Sequence, residues 1–541
     1  MKTLVKTTLS LLLAGCMVSS AWAQRAPSNA DKTRVLAAIK KSTQFMMDEV
    51  GYKGAFVWSY LPDLSRQWGE MEAFRTMGWT QWEGSPEVGD FLLDLYKATG
   101  DEYYYDAAEI VASALIWGQH PSGGWNYHFD LAGEASVRHW YNTIGKNGRR
   151  LEEFRHYRAD CTFDDDATAS PARFILRLYR TKNDPKYIPS IEKTVQFLLE
   201  SQYPIGGWPQ RYPNTGSWSV GGMQDYSHYI TFNDGVMENN TELLLMYYRA
   251  LGDKSLLEPI RRAMNCLLLL QQGQPNPGWG DQFDLELKPT HARGFEPPHI
   301  NSRMTYDMLE VMMTWYKHTG ETKFLARIPE AIAWLESILV PDSVAAASRN
   351  RRYQPGLDAA PMFLEPETNR PISSRVENGR YIINYDNYGL AIFDMAALKT
   401  LYQETIKITP DEARATSPLY TTEPFAFPDY VAMKWPELER VGSIVYRNPL
   451  FGEVIHAGKP TLKEINDLIA AMVDGKYWLV DLQEISHPFV RDPETPEELT
   501  GRAPGNTFDM SPFRPDPAVK GITTRSWMIN ISRMARFVLD Y

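Results

Sequence analysis

Cysteine is scarce in this chain: three residues among 541, at positions 16, 161 and 266. So few cannot build a disulfide framework, and none stands at metal-ligand spacing from another. Positive charge is also short. Lys and Arg total 56 against 67 Asp and Glu, a formal net charge of −11. That field argues against nucleic acid as a partner, and any polyanionic substrate would need a local cluster of arginine, lysine or metal ion. The ten histidines are scattered, with no H-E-x-x-H and no triad spacing. No G-x-S-x-G, P-loop or dinucleotide fingerprint occurs either. The apolar run at the start, Leu9 to Val18, is too short for a stable membrane span.

That run has another reading. Lys2 and Lys6 precede it, and Ala21-Trp22-Ala23 follows as a small-x-small cleavage signal before Gln24. This is the pattern of a bacterial-type secretory signal peptide over residues 1–23. Its removal takes the net charge from −11 to −13. Leu13-Ala14-Gly15-Cys16 resembles a lipoprotein box, so a lipid anchor at Cys16 is the alternative to cleavage after Ala23. Both readings predict export, to the periplasm or the medium, or to the outer membrane by an anchor. Cys161 and Cys266 then remain, and the sequence leaves their pairing open.

Aromatics make up 12% of the chain, with 16 Trp and 29 Tyr. That many flat side chains suits a carbohydrate-active protein or a large helical core. The first 400 residues share one repeated grammar. Tyr96-Lys97-Ala98-Thr99-Gly100-Asp101 is echoed by the segments starting at Tyr179, Tyr248 and Tyr316, at spacings of 83, 69 and 68 residues. Each tag ends a helical-period stretch, such as Met304, Met308, Leu309, Met312, Met313 and Trp315. A Gly or Asn just beyond it stops the helix. A second helix follows, and three units close in Gly-Trp: Gly124-Trp125, Gly207-Trp208 and Gly278-Trp279. Gly54 to Trp58 is a degenerate earlier copy.

Such a pattern predicts stacked helical hairpins. Loops of about 20–30 residues between them favour an incomplete (α/α) toroid, with the long loops gathered at one end to build a site. The expected division is a toroid over 24–405 and a mixed, appended region over 406–541. Within that last region, strands are expected at Gly442–Tyr446 and Tyr477–Leu482, and helices at Leu462–Met472 and Trp527–Leu539. A monomer is expected.

Polar residues precede each inner helix. The richest cases are Asp164-Asp165-Asp166 and Asn233-Asp234-Gly235, and alignment on the repeat tyrosines makes Asp165 and Asp234 equivalent. Aspartate is a favoured helix N-cap, but a cap needs one side chain, and three adjacent carboxylates repel one another. Carboxylates converging at one end of a toroid are what calcium requires. Arg293, in Ala292-Arg293-Gly294-Phe295-Glu296, and Arg375, beyond Asn369-Arg370-Pro371, are candidate grips for a substrate carboxylate, although loop arginines are more often solvated.

These motifs resemble, in order, those of pectate lyases of polysaccharide lyase family ten. Asp164 to Thr168 with Arg173-Phe174 is similar to that family's Asp-Asn-x-Ala-Thr…Arg-Phe helix start, with Asp165 where Asn is typical. Gly206 to Pro213 is similar to its Gly-Gly-Trp-Pro-Gln-Phe-Tyr-Pro, with Arg211 in place of Phe. Ile230 to Asp234 resembles Ile-Thr-Tyr-Asn-Asp, and Ala292 to Glu296 resembles Ala-Arg-Ala-Tyr-Glu. Asn369-Arg370-Pro371-Ile372 matches an element that leads to the catalytic arginine.

The resemblance implies a calcium-assisted lyase acting on an acidic polysaccharide by β-elimination. By it, Asp164 and Asp234 would hold Ca2+, Arg293, Asp165 and Trp208 would contact substrate, and Arg375 would remove the C5 proton of the uronate. The alternatives are another uronate polymer such as ulvan, a toroid glycoside hydrolase using paired carboxylates, or a non-catalytic sugar-binding protein. In that last reading Trp125, Trp208, Trp218 and Trp279 would stack on sugar rings.

Overall fold

The computed structural model describes residues 27–147, 152–215, 224–348, 350, 352–420, 460–483, 485–486 and 512–538. The signal segment, Cys16, Trp218 and the strand expected at 442–446 lie outside them. The helices in chain order are α1 (Asn29–Phe45), α2 (Ser85–Thr99), α3 (Glu102–Gly118), α4 (Glu134–Thr143), α5 (Ala169–Lys182) and α6 (Ile188–Ser201). They continue as α7 (Val236–Leu251), α8 (Leu257–Leu270), α9 (Ser302–Thr319), α10 (Ile328–Ser337), α11 (Asp342–Ala347), α12 (Met395–Thr405), α13 (Pro410–Ala415), α14 (Leu462–Ala470) and α15 (Thr524–Val538).

The repeated tyrosines have a backbone explanation. Gly100, Asn183, Gly252 and Gly320 each end a helix in the left-handed conformation and return their N–H to the carbonyls of Tyr96, Tyr179, Tyr248 and Tyr316. Glycine and asparagine take that conformation at least cost, so the helix stops there. In three units the next residue caps the second helical segment of the hairpin: Asp101, Asp184 and Asp253 accept from the N–H groups of Tyr103, Lys186 and Ser255. Four helical hairpins result, α2/α3, α5/α6, α7/α8 and α9/α10. Helices α2, α5 and α7 pack in succession, and α9 lies against α8. The mainly helical, hairpin-repeat architecture is therefore the one the sequence implies.

The Gly-Trp pairs fasten each loop to its own hairpin. Trp125, Trp208 and Trp279 are all fully buried. Their indole N–H groups donate to the carbonyls of Leu115, Leu198 and Leu267, at 2.8, 2.9 and 2.9 Å. Close packing explains the glycine before them. At Gly207 a Cβ would lie 2.5 Å from Ile230 Cγ2, and at Gly278 2.2 Å from Thr305 Oγ1, so neither position has room for a side chain.

Short antiparallel pairs then link successive loops. Cys161–Thr162 pairs with Arg211–Tyr212, Ile230–Thr231 with Gln282–Phe283, and Ile300–Asn301 with Phe363–Leu364. Cys161 and Cys266 are both buried and free.

The region after residue 405, expected as an appendage, feeds the common core. Helix α15 packs against α1 and α2, and its Trp527, Met528, Ile531 and Met534 join the same hydrophobic cluster as the hairpins. The strand Val519–Thr523 pairs with Ser59–Tyr60 on one side and Val480–Leu482 on the other. Helix α13 packs on α9, and Tyr248 donates to the Leu419 carbonyl at 3.0 Å. The strand and helix signals at 477–482, 462–472 and 527–539 are met by Val480–Leu482, α14 and α15. Proline and turn density marks the end of the repeat, but burial of α15 is set by contacts far away in sequence.

Candidate active site

Two tight turns lead into inner helices and meet each other: Asp164–Asp166 before α5 and Asn233–Gly235 before α7. Asp165 (φ 47°, ψ 40°) and Asp234 (φ 56°, ψ 25°) both adopt the left-handed conformation. For a residue with a Cβ that costs about 1 kcal/mol or more. The repeat equivalence of these two aspartates is thus visible in the backbone. Neither serves as a cap, because α5 and α7 begin without a side-chain cap bond. Instead one oxygen each from Asp164, Asp165 and Asp234 falls within 4.8 Å of the others.

Asp164 is the buried member, 4% exposed. Tyr127 donates its hydroxyl to Asp164 Oδ2, whereas Oδ1 is buried and receives no hydrogen bond. Asn233 Nδ2 donates to Asp234 Oδ2 at 2.9 Å. Asp165 Oδ2 accepts from Gln81 Nε2 at 2.8 Å, and the same amide donates to Glu70 Oε2 at 3.1 Å. Its orientation is set by Trp79, whose indole N–H donates to Gln81 Oε1. A fourth carboxyl group, Glu70, therefore joins the cluster from the N-terminal segment.

Crowded acids of one sign resist ionisation. Burial, then the charges of Asp164 and Glu70, push Asp165 up to about 7. Burial and then Asp164 push Asp234 well above the usual carboxylate range, although 29% of its side chain is open to solvent. Glu70 is pushed up to about 8 by burial and by Glu153.

Arg293 faces the cluster. It is gripped by Glu296 through Nε–Oε2 (2.9 Å) and Nη2–Oε1 (3.0 Å), while Nη2 lies 3.4 Å from Asp234 Oδ2. Burial alone would lower its pKa. The Glu296 carboxylate and then Asp234 override that and hold it well above arginine's ordinary value.

These residues fit a hard divalent cation. The donors are carboxylate oxygens, they converge on one point, and the orphaned Asp164 Oδ1 is an acceptor left for a ligand to satisfy. A cation would also neutralise the repulsion that otherwise retains protons on Asp165 and Asp234.

The family model described as pectic acid lyase matches residues 133–387 of the chain. Those residues belong to the pectic acid lyase family, and the region is that of a polysaccharide lyase. No curated protein matches the chain by sequence. Among solved structures, a family 10 polysaccharide lyase from Cellvibrio cellulosa is similar at 19% identity and a TM-score of 0.38, covering 57% of this chain and 89% of its own. A mutant of that lyase in complex with trigalacturonic acid gives 18%, 0.37, 55% and 96%. A glycoside hydrolase family 76 mannosidase from Bacteroides thetaiotaomicron gives 10% and 0.40, covering 94% of this chain and 98% of its own. Likenesses this distant leave the functional argument to the family match and the site.

The pectic acid lyase region contains Asp164, Asp165, Asp234, Arg293 and Glu296, and excludes Glu70 and Gln81. Two residues named through the family resemblance stand apart from the cluster in this structure. Arg375 does not join the cluster. It lies on the strand Pro371–Glu377, its side chain is 64% exposed, and its Nε is tied to Glu377 Oε1 at 2.7 Å. The neighbouring Val376 faces the 292–294 turn, with Cγ2 3.4 Å from where a Gly294 Cβ would stand. Side chains alternate along a strand, so Arg375 points to the opposite face of the hairpin. Trp208 cannot stack on substrate, because its ring is wholly inside the core.

Tyr127, Glu70 and Gln81 were not legible as site residues. They carry no motif, and only strand pairing and packing bring residues 67–81 beside the acidic turns. Glu296 had a signal in the Arg-x-x-Glu spacing, which places its carboxylate back on Arg293 within one turn.

Proposed function

We propose that the pectic acid lyase region of this protein cleaves a 4-linked polyuronate of the pectate type by β-elimination, with Asp164 and Asp234 holding calcium beside Arg293. The observation that carries this reading is the convergence of Asp164, Asp165 and Asp234 on one point with a bidentately fixed arginine 3.4 Å from Asp234. Bound calcium would supply Lewis-acid neutralisation of the uronate carboxylate, lowering the barrier to loss of the neighbouring C5 proton.

The chain's own residues do the rest of the binding. Arg293 stays protonated because Glu296 and Asp234 stabilise its charge, so it serves as a cationic fork for a substrate carboxylate and not as a proton acceptor. Glu296 fixes the plane of that fork. Tyr127 and Gln81 fix Asp164 and Asp165, which leaves Asp164 Oδ1 and the free oxygens of Asp165 and Asp234 for ligand. The elimination breaks the C5–H and C4–O bonds and forms the 4,5-double bond: the C5 proton passes to a base from solvent, the departing C4 oxygen takes up a proton from solvent, and no water is consumed overall.

We also read the chain as exported, with residues 1–23 removed or Cys16 lipidated. Among the described residues no helix is long and apolar enough to cross a membrane.

The test is ultraviolet absorbance of protein mixed with polygalacturonate, with calcium and then with chelator. A calcium-dependent rise is expected from the conjugated product. Cleavage that yields new reducing ends without that absorbance would replace the lyase reading with a hydrolase.

A further inference from the structure

The three Gly-Trp indoles are core residues, so the sugar-facing aromatic surface must come from other rings. Beside the acidic turns stands one. Residues 292–296 close a tight turn, with Ala292 N–H donating to the Glu296 carbonyl at 3.0 Å and Glu296 N–H to the Arg293 carbonyl at 2.8 Å. Glu296 is turned inward, 3% exposed, and Phe295 outward, 53% exposed. A single exposed apolar residue is ordinary. Phe295 differs because its ring centroid lies 5.3 Å from Arg293 Cζ. The guanidinium that reaches Asp234 therefore also covers one flank of the ring, leaving the remainder to solvent.

More aromatic surface borders the same turn. Tyr229, just before the strand that leads to Asp234, packs against His291 with ring centroids 5.5 Å apart. His291 in turn lies 6.2 Å from Tyr381. The Tyr381 hydroxyl donates to the Arg293 carbonyl at 2.8 Å, fixing the turn from the hairpin side. All three rings are partly exposed.

We propose that Phe295, on the turn whose Arg293 carbonyl Tyr381 holds, is the sugar-stacking subsite for the uronate ring whose carboxylate Arg293 grips. The inference rests on the proposal above that a polyuronate is the substrate. A pyranuronate carries an apolar C–H face and, on the same ring, a carboxylate. The turn presents an aromatic face and a cationic fork about one ring apart, so it selects an acidic sugar over a neutral one. Stacking of this kind draws on the area and quadrupole of the aromatic ring.

Phe295→Ala, Phe295→Trp and the unmodified full chain are compared by calorimetric titration with trigalacturonate and, separately, with terbium as a luminescent stand-in for calcium. Phe295 is exposed, and equal thermal unfolding midpoints verify that the variants are folded. The alanine variant is expected to bind trigalacturonate about tenfold more weakly, the tryptophan variant to restore binding, and terbium affinity to stay the same in both. Unchanged trigalacturonate affinity in the alanine variant would overturn the subsite. So would a parallel loss of terbium binding, which would make Phe295 a support for the acidic turns. If the unmodified chain binds trigalacturonate but never cleaves it, the lyase reading falls while Phe295→Ala still decides the subsite. If it binds no trigalacturonate at all, both fall.

Discussion

Gln81 donates to Asp165 at 2.8 Å across 84 positions of sequence, and that single amide joins the N-terminal segment to the lyase region. Both of its roles are taken: the carbonyl by Trp79, the N–H groups by Asp165 and Glu70. Gln81→Leu keeps the volume and removes all three bonds. The expected outcome is a loss of about 1–3 kcal/mol, because the buried Trp79 N–H is left without an acceptor. Turnover of polyuronate should fall about tenfold, the loss of about 1.4 kcal/mol of positioning on Asp165. Urea unfolding and the ultraviolet assay measure the two effects; a stability loss with unchanged turnover would confine Gln81 to a structural role.

Asp234→Asn separates stability from cation binding. Without cation, the substitution removes one of three mutually repelling carboxyls and should leave the protein as stable or up to about 1 kcal/mol more stable. The gain in melting temperature on adding calcium, which for a ligand at 100 times its dissociation constant corresponds to about 2.7 kcal/mol, should largely vanish. A calcium-induced shift equal to that of the unmodified protein would remove Asp234 from the ligand set.

Stability without cation should decline from about pH 6.5 to 8, the interval above the unfolded histidine pKa. Asp165 (about 7) and Glu70 (about 8) keep protons in the folded state that the unfolded chain has already lost, as does Glu87, raised to about 8 by burial. The native state then binds more protons, so the unfolding free energy falls as pH rises. Calcium should flatten the part due to the cluster and leave the part due to Glu87. Below that interval His128 acts in the other direction. Burial holds it neutral down to about 3, so its contribution is lost as pH drops below its ordinary value. Chemical unfolding at several pH values, with and without calcium, checks both signs.

Trp208→Phe should behave as a core mutation. It deletes the bond to the Leu198 carbonyl and opens a cavity beneath the loop, at a cost of about 1–3 kcal/mol. Trigalacturonate affinity of the folded variant should be unchanged. Weakened affinity at equal foldedness would return Trp208 to the substrate surface.

The tyrosine tags were legible because a helix stop is local: a left-handed residue four positions after each tyrosine takes back its carbonyl. The equivalence of Asp165 and Asp234 was legible for the same reason, and Arg293 with Glu296 sits within one turn. The roles expected of Arg375 and Trp208 were not decided by such local rules. Arg375 depends on which face of a hairpin meets the 292–294 turn, a parity set by strand register. The tryptophans depend on whether their loops fold outward or back onto the hairpin. Each indole has a hydrogen-bond acceptor on its own hairpin's second helix, and inward burial wins.

By itself, then, the sequence determined the helical hairpins, their stops, and the two acidic turns, since these rest on interactions among residues a few positions apart. Tertiary structure alone decided that Glu70 and Gln81 stand beside the acidic turns, that α15 belongs to the core, and that Trp208 is buried while Phe295 stands exposed beside Arg293. Those outcomes depend on which distant surfaces exclude water together, and burial of that kind leaves no short-range mark in the chain.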